Sequence, residues 1–211
     1  MYIPRANEEN RVPVMHQLIK TQPLAALVTL TSNGLFASHL PLSLEDNGTG
    51  FGVLRGHVSR ANAQWKDINP QVEALAIFSG PQHYITPSWY AGKLENGKEV
   101  PTWNYAVVHA HGPLRIVDND PGWMLKHLHQ LTDSNEAARE TPWSVSDAPE
   151  DFIQTMMKGI VGLELPITRL EGKWKVSQNR TEQDKRGVVQ GLKDLDTPES
   201  LLMADLVAER M

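Results

Sequence analysis

Between Leu24 and Arg55 the chain carries three short, apolar runs, separated by tight-turn signals only a few residues long. Leu24–Thr31 reads as a buried strand, and Ser32-Asn33-Gly34 supplies a turn that reverses a hairpin. Leu35–Leu44 is the next strand, Asp46-Asn47-Gly48 the next turn, and Thr49–Arg55 the third strand. Strands joined so closely run antiparallel, because a parallel neighbour needs a crossover of about a dozen residues. The opening is an antiparallel meander. No regular βαβ alternation follows it, which sets aside a doubly wound fold.

Other elements fit around this meander. Val14, Met15, Leu18 and Ile19 have helical spacing within Val12–Gln22, with Pro13 in the first turn and Pro23 as the stop. Ser59-Arg60-Ala61-Asn62 opens a short helix that ends at Asn69-Pro70, and Val72–Ser79 is the most apolar strand. His83–Pro87 and Trp103–Val117 are further strands, parted by the Gly- and charge-rich Ala91–Glu99 loop, which is long for a hairpin. Asn119-Asp120-Pro121 starts a helix that runs on through Gly122–Leu131, and a polar stretch, Asp133–Pro149, leads into Phe152–Lys158. Ile160–Arg169 and Lys173–Ser177 form a late hairpin turned at Glu171-Gly172, and Thr181–Leu192 and Pro198–Arg210 are surface helices. About seven strands with a few helices make an α+β protein built on an antiparallel barrel.

At 211 residues and 40% hydrophobic content, the chain can build a core without disulfides or metals. Cysteine is absent, which excludes thiol catalysis, Cys-ligated zinc and iron–sulfur clusters and fits a reducing, cytoplasmic setting. MYIPRANEEN has no apolar signal-peptide region, and no run approaches the ~20 apolar residues of a membrane span. A net charge of −5 argues against nucleic-acid binding driven by overall charge, although it leaves room for a local basic patch.

Four segments are candidates for chemistry. In Arg55–Asn62 a strand gives way to a helix, and backbone N–H groups, Ser59 and two arginines suit a phosphate, with Gly56 allowing close approach. The alternative is that Ser59 caps the helix and Arg60 is solvated. Tyr84–Tyr90 and Pro101–Tyr105 concentrate aromatics in a chain with only 7% of them; a core or dimer interface accounts for them best on this ground alone, and a site for a flat heterocycle is the alternative. His109 and His111 share a strand face but lack a third ligand at a telling spacing, so no metal site is expected. Lys173–Arg180 is either a basic strand end before a capped helix or a ligand-facing segment using Gln178, Asn179 and Arg180. Nucleophile-elbow, P-loop and Rossmann signatures are missing.

MYIPRANEE, GHVSRANAQW (Gly56–Trp65), FSGPQHYITPSWY (Phe78–Tyr90), VPTWNYAVVHAHG (Val100–Gly112) and KWKVSQNRTEQDKRGVVQGL (Lys173–Leu192) resemble PaiB-type proteins, described as FMN-binding negative transcriptional regulators. The resemblance implies a split β-barrel with flanking helices, related to pyridoxamine-phosphate oxidases, and an intertwined homodimer holding FMN at the subunit interface. Residues 1–180 would form the FMN-binding domain, and 181–211 a helical extension packed on the barrel or the partner. Arg55, His57, Ser59, Arg60 and Asn62 would lie on the phosphate side. Trp103, Asn104 and Tyr105 would lie near the ring or the facing subunit, with Gln178, Asn179 and Arg180 closing the pocket. His111 departs from the aromatic residue expected there.

Three functions follow: a flavin-dependent oxidoreductase or carrier, a transcriptional regulator, and a haem-binding or haem-degrading relative suggested only by His109 and His111. No residue stands out as a general acid or base. Direct DNA binding lacks a helix-turn-helix pattern, and Lys185, Arg186 and Lys193 are offset by Glu182, Asp184 and Asp194.

Overall fold

The computed structural model describes every residue except Asn47, Thr49 and residues 94–96. The middle of the expected Asp46–Gly48 turn, the start of the third expected strand and part of the Ala91–Glu99 loop lie outside the described residues. Ten strands and five α-helices are described: β1 (Glu8–Glu9), α1 (Val12–Thr21), β2 (Leu24–Thr31), β3 (Gly34–Pro41), β4 (Ser43–Glu45), β5 (Val53–Ser59), β6 (Ala74–Ile85), β7 (Thr102–Gly112), β8 (Arg115–Val117), α2 (Pro121–Glu136), α3 (Glu150–Met157), β9 (Ile160–Pro166), β10 (Arg169–Lys175), α4 (Glu182–Leu195) and α5 (Pro198–Ala208). The α+β antiparallel expectation holds.

The chain forms two compact units. One comprises Met1–Leu18, Ser79–His109 and Glu171–Met211. Its strands run in the order β1–β10–β7–β6, with Glu8 opposite Lys173. α4 and α5 belong to this unit, and Trp89 lies against α4 where a side chain on Gly191 would stand 2.3 Å from the indole. Val188, Leu192, Met203 and Val207 are fully buried there.

The other unit comprises Ile19–Phe78 and Ala110–Leu170. Here β2 pairs with β3 through the expected Ser32–Gly34 turn, and on its other side with the start of β6. A four-stranded sheet has the order β4–β5–β9–β8. Alternate residues Leu54, Gly56 and Val58 of β5 face inward among Val161, Leu163 and Leu165 of β9, as a half-buried strand requires.

Three expectations are corrected. The late hairpin does not form: β9 pairs with β5 and β8, whereas β10 pairs with β7 and β1. Glu171-Gly172 lies inside β10, where the missing side chain of Gly172 admits the Glu9 carbonyl and Met15. His83–Ile85 is not a separate strand but the end of β6, which continues through Gly80-Pro81. Pro81 is tolerated because pairing of β6 with β2 stops at Ile77, so no ladder bond to β2 is asked of its nitrogen. Trp103–Val117 divides at Gly112, beyond which β8 joins the four-stranded sheet.

Candidate functional site

Within the second unit, β5 turns Arg55 and His57 to the face opposite its core residues. Arg55 Nε donates to Glu164 Oε1 at 2.8 Å, and another guanidinium nitrogen pairs with Glu45. Trp123 Nε1 donates to the same Glu164 oxygen at 3.0 Å. The indole lies close on β9 because residue 162 is glycine; a Cβ there would stand 2.3 Å from the ring. Trp123 in turn stacks on His127, with centroids 5.2 Å apart, and His127 Nε2 meets His57 Nδ1 at 3.1 Å. One of those nitrogens donates and the other accepts, which a pair of neutral rings provides.

His127 is 1% exposed, and its Nδ1 has no hydrogen-bond partner among the described residues. Burial first, then the fields of His57 and Arg55, lower its pKa to about 4. Burial also lowers His57. A cavity of about 50 Å³ beside the ring, lined also by Arg55, Lys126 and Gln130, has room for a water.

The helix expected at Ser59 starts later, as a one-turn 3-10 helix, Ala63–Lys66. Asn62 caps it, accepting from Gln64 N at 2.9 Å and donating through Nδ2 to Ser38 Oγ at 2.9 Å. Ser59 Oγ accepts from Ala61 N. Arg60 donates through Nε to the Lys158 carbonyl at 2.8 Å and through Nη2 to Asp118 at 2.7 Å. The Arg60 hydrogen bond holds Asp118 below the usual carboxylate range. Gly56 serves packing: a Cβ on it would meet Leu42 at 2.6 Å. Both arginines are thus already paired, and a phosphate at this junction would compete with Glu45, Glu164 and Asp118.

Within the first unit, β7 turns Trp103, Tyr105 and Val107 to one face and Asn104, Ala106 and Val108 to the other. A groove of about 190 Å³ is lined by Ser79, Gly80, Gln82, Trp103, Tyr105, Ala106 and Val107. Gln82 Oε1 accepts from Trp103 Nε1 at 3.0 Å, which leaves the Gln82 NH₂ facing no partner in that bond. Tyr84 packs edge-on to Trp103 at 6.2 Å, and these two rings are 45% and 49% exposed, so much of their surface is open to a ligand or partner. On the neighbouring β10, Lys173 Nζ sits 5.1 Å from the centre of the Tyr105 ring. Lys175 Nζ donates to the Trp103 carbonyl at 2.9 Å and to Thr102 Oγ1. Burial pulls the Lys175 pKa down; Tyr105 opposes this, and Lys173 and Arg180 add to it.

Asn104 parts from its sequence neighbours. It is fully buried, donates to Ser177 Oγ at 2.9 Å, and its Oδ1 has no partner among the described residues. Gln178 folds onto its own turn, accepting from Val176 N at 2.8 Å and donating to the Trp174 carbonyl. Arg180 pairs with Glu99 at 2.6 Å and lies 4.3 Å over the Tyr90 ring. His109 and His111 are both half-buried on one face of β7. Of the eleven expected residues, then, the structure sets Trp103 and Tyr105 on the groove, and Arg55 with His57 around α2. The sequence reading missed Gln82, Lys173 and Lys175 in one unit, and Trp123, His127 and Glu164 in the other. Lys173 and Lys175 carried a readable signal, being two apart on a strand.

Residues 1–169 match the family described as "Putative FMN-binding domain". The chain belongs to that family. FMN is therefore its cofactor, as the sequence resemblance implies. An uncharacterized protein of Emericella nidulans is 33% identical, covering 100% of this chain and 97% of its own length. The Bacillus subtilis protease synthase and sporulation protein PAI 2 is 27% identical, over 100% of this chain and 98% of its own. Relatives thus occur in fungi as well as bacteria. Among solved structures, the flavocytochrome Anf3 of Azotobacter vinelandii shares the fold at a TM-score of 0.58 and 14% identity, over 88% of this chain and 78% of that one. The fold is the split barrel expected from the sequence. Among the described residues no helix is long and apolar enough to cross a membrane.

The groove fits a flavin by its chemistry. Two aromatic faces offer stacking area, the Gln82 amide offers donors to a polar ring edge, and cations stand beside them.

Proposed function

We propose that this chain is a cytoplasmic flavin-dependent redox or flavin-sensing protein whose FMN ring lies along the Trp103–Tyr105–Gln82 groove. The observation that carries this reading is that groove: half-exposed aromatics and an amide on one sheet face, in a member of an FMN-binding family. When bound, FMN supplies the electron or hydride transfer. The chain's residues orient and desolvate it: Trp103 and Tyr105 by stacking, Gln82 by hydrogen bonds, and the lysines through their field.

The groove's 190 Å³ falls below the roughly 300 Å³ at which small-molecule pockets begin. A second copy of the chain would complete it. Leu35 and Phe36 on β3, at an end of the strand order, are exposed and offer an apolar surface for association of two copies. A regulatory role is suggested by the name of the Bacillus relative, and an acidic chain favours an indirect one, through the flavin's state rather than DNA contact.

The test is an absorbance spectrum of natively purified protein, repeated after adding FMN and removing the excess. Bands of bound flavin support the reading; a spectrum that stays featureless after reconstitution refutes it. Light scattering is expected to give twice the 23.6 kDa chain mass, and a monomer would refute the shared site. Retardation of candidate promoter DNA at low salt would overturn the indirect role.

A further inference from the structure

Lys173 and Lys175 project from the same face of β10, and neither ammonium has a carboxylate partner among the described residues. This is unusual in a unit whose other inward cations are paired: Arg180 with Glu99, Lys185 with Glu182, and Arg210 with Glu9. Lys173 is 9% exposed, and its ammonium lies 5.1 Å from the centre of the Tyr105 ring and 5.9 Å from that of Tyr2; Glu8, its cross-strand neighbour on β1, makes no ion pair with it. Lys175 is held by a hydroxyl and a carbonyl, both neutral. Two partly desolvated positive charges held by neutral groups keep most of their field for an anion. Tyr105 and Trp103, which hold the two ammonium groups, also line the groove.

We propose that Lys173 and Lys175 form an oxyanion seat at the side of this groove, taking the phosphate or carboxylate of an aromatic ligand whose ring lies on Trp103 and Tyr105. The ring's place rests on the flavin reading; the seat itself does not. The oxyanion has two possible sources: the phosphate of FMN, or the carboxylate of a substrate docking beside the flavin.

The full chain is stripped of flavin and titrated with FMN, riboflavin, para-nitrobenzoate and para-nitrobenzamide, following quenching of flavin or tryptophan fluorescence. Lys175→Gln keeps donors for Thr102 and the Trp103 carbonyl while removing the charge, Lys173→Gln removes the second charge, and Lys175→Arg restores it. If the seat takes the cofactor's phosphate, the glutamine variants weaken FMN about tenfold or more and leave riboflavin unchanged. If it takes a substrate's carboxylate, both flavins are unaffected, and para-nitrobenzoate weakens by that factor while para-nitrobenzamide does not. Lys175→Arg retains the wild-type preference in either case. Variants that bind all four probes as wild type does, or that lose charged and neutral probes equally, overturn the seat. Should wild type take no flavin at all, the proposed function fails, while the two nitroaromatics still decide the seat.

Discussion

Acidification offers a direct test of the buried His57–His127 pair. His127 holds a pKa of about 4, chiefly through burial, against an ordinary value of 6.5. On acidification the unfolded chain therefore takes up a proton first, and stability falls as pH drops through 6.5, until it levels off below about 4. The limiting loss from this one ring is on the order of 3 kcal/mol, since each pH unit between the two values is worth about 1.36 kcal/mol. Near pH 5 the loss is about 2 kcal/mol, large beside the ~5–15 kcal/mol that holds a typical domain together. Urea unfolding at pH 7.5 and pH 5 should show the midpoint falling by roughly 0.7–1 M. His127→Gln removes the titrating ring, so the variant, though less stable at pH 7.5, should lose markedly less between the two pH values. Equal losses in wild type and variant would refute the assignment of that acid sensitivity to His127.

Glu9, 2% exposed, provides a second and lower window. Burial raises its pKa, but hydrogen bonds from the Arg11 side chain and backbone and from Arg210 outweigh this and leave it at about 2. Its contribution is complete above the unfolded value of 4.5 and disappears as pH falls toward 2, so Glu9→Gln should cost about 3 kcal/mol at pH 7 and nearly nothing at pH 2 by chemical denaturation. Gly162→Ala places a methyl group against Trp123 and should cost about 1–3 kcal/mol, with a change in tryptophan fluorescence; an unchanged melting curve would show that the ring is not seated there. Leu35→Glu should halve the mass measured by light scattering without loss of helix signal in circular dichroism, and an intact dimer would move the interface elsewhere.

The hairpins were legible because their turns are written in the residues they need: Gly34, at the tip of β2–β3, has a φ of 105°. The change of sheet between β9 and β10 was not. Its punctuation, Pro166 to Thr168, is weaker than Glu171-Gly172, and that glycine answers to Glu9 and Met15, far away in sequence. The same limit applied at the site. The aromatic cluster could be read from its density, but a run of three neighbours cannot share one strand face, so Asn104 went to the core while Trp103 and Tyr105 stayed at the groove. Arg55 and Arg60 looked like free cations because Glu164 and Asp118 lie 109 and 58 residues away. Nothing local announces those two, whereas Glu45, which also pairs with Arg55, stands on the adjoining hairpin strand.

The division of the chain has a consequence for how it is made. One unit is closed by residue 170, whereas the other collects its pieces from the first 18 residues, a middle stretch and everything after Glu171. During vectorial synthesis at about 5–20 residues per second, β1 must wait for β10 to appear, and the carboxylate of Glu9 must wait longer for Arg210. Through that interval the nascent chain exposes an unpaired strand face, including Trp103 and Tyr105. A chaperone reading apolar strands would find it then, and synthesis halted between residues 171 and 211 would leave one unit finished and the other incomplete.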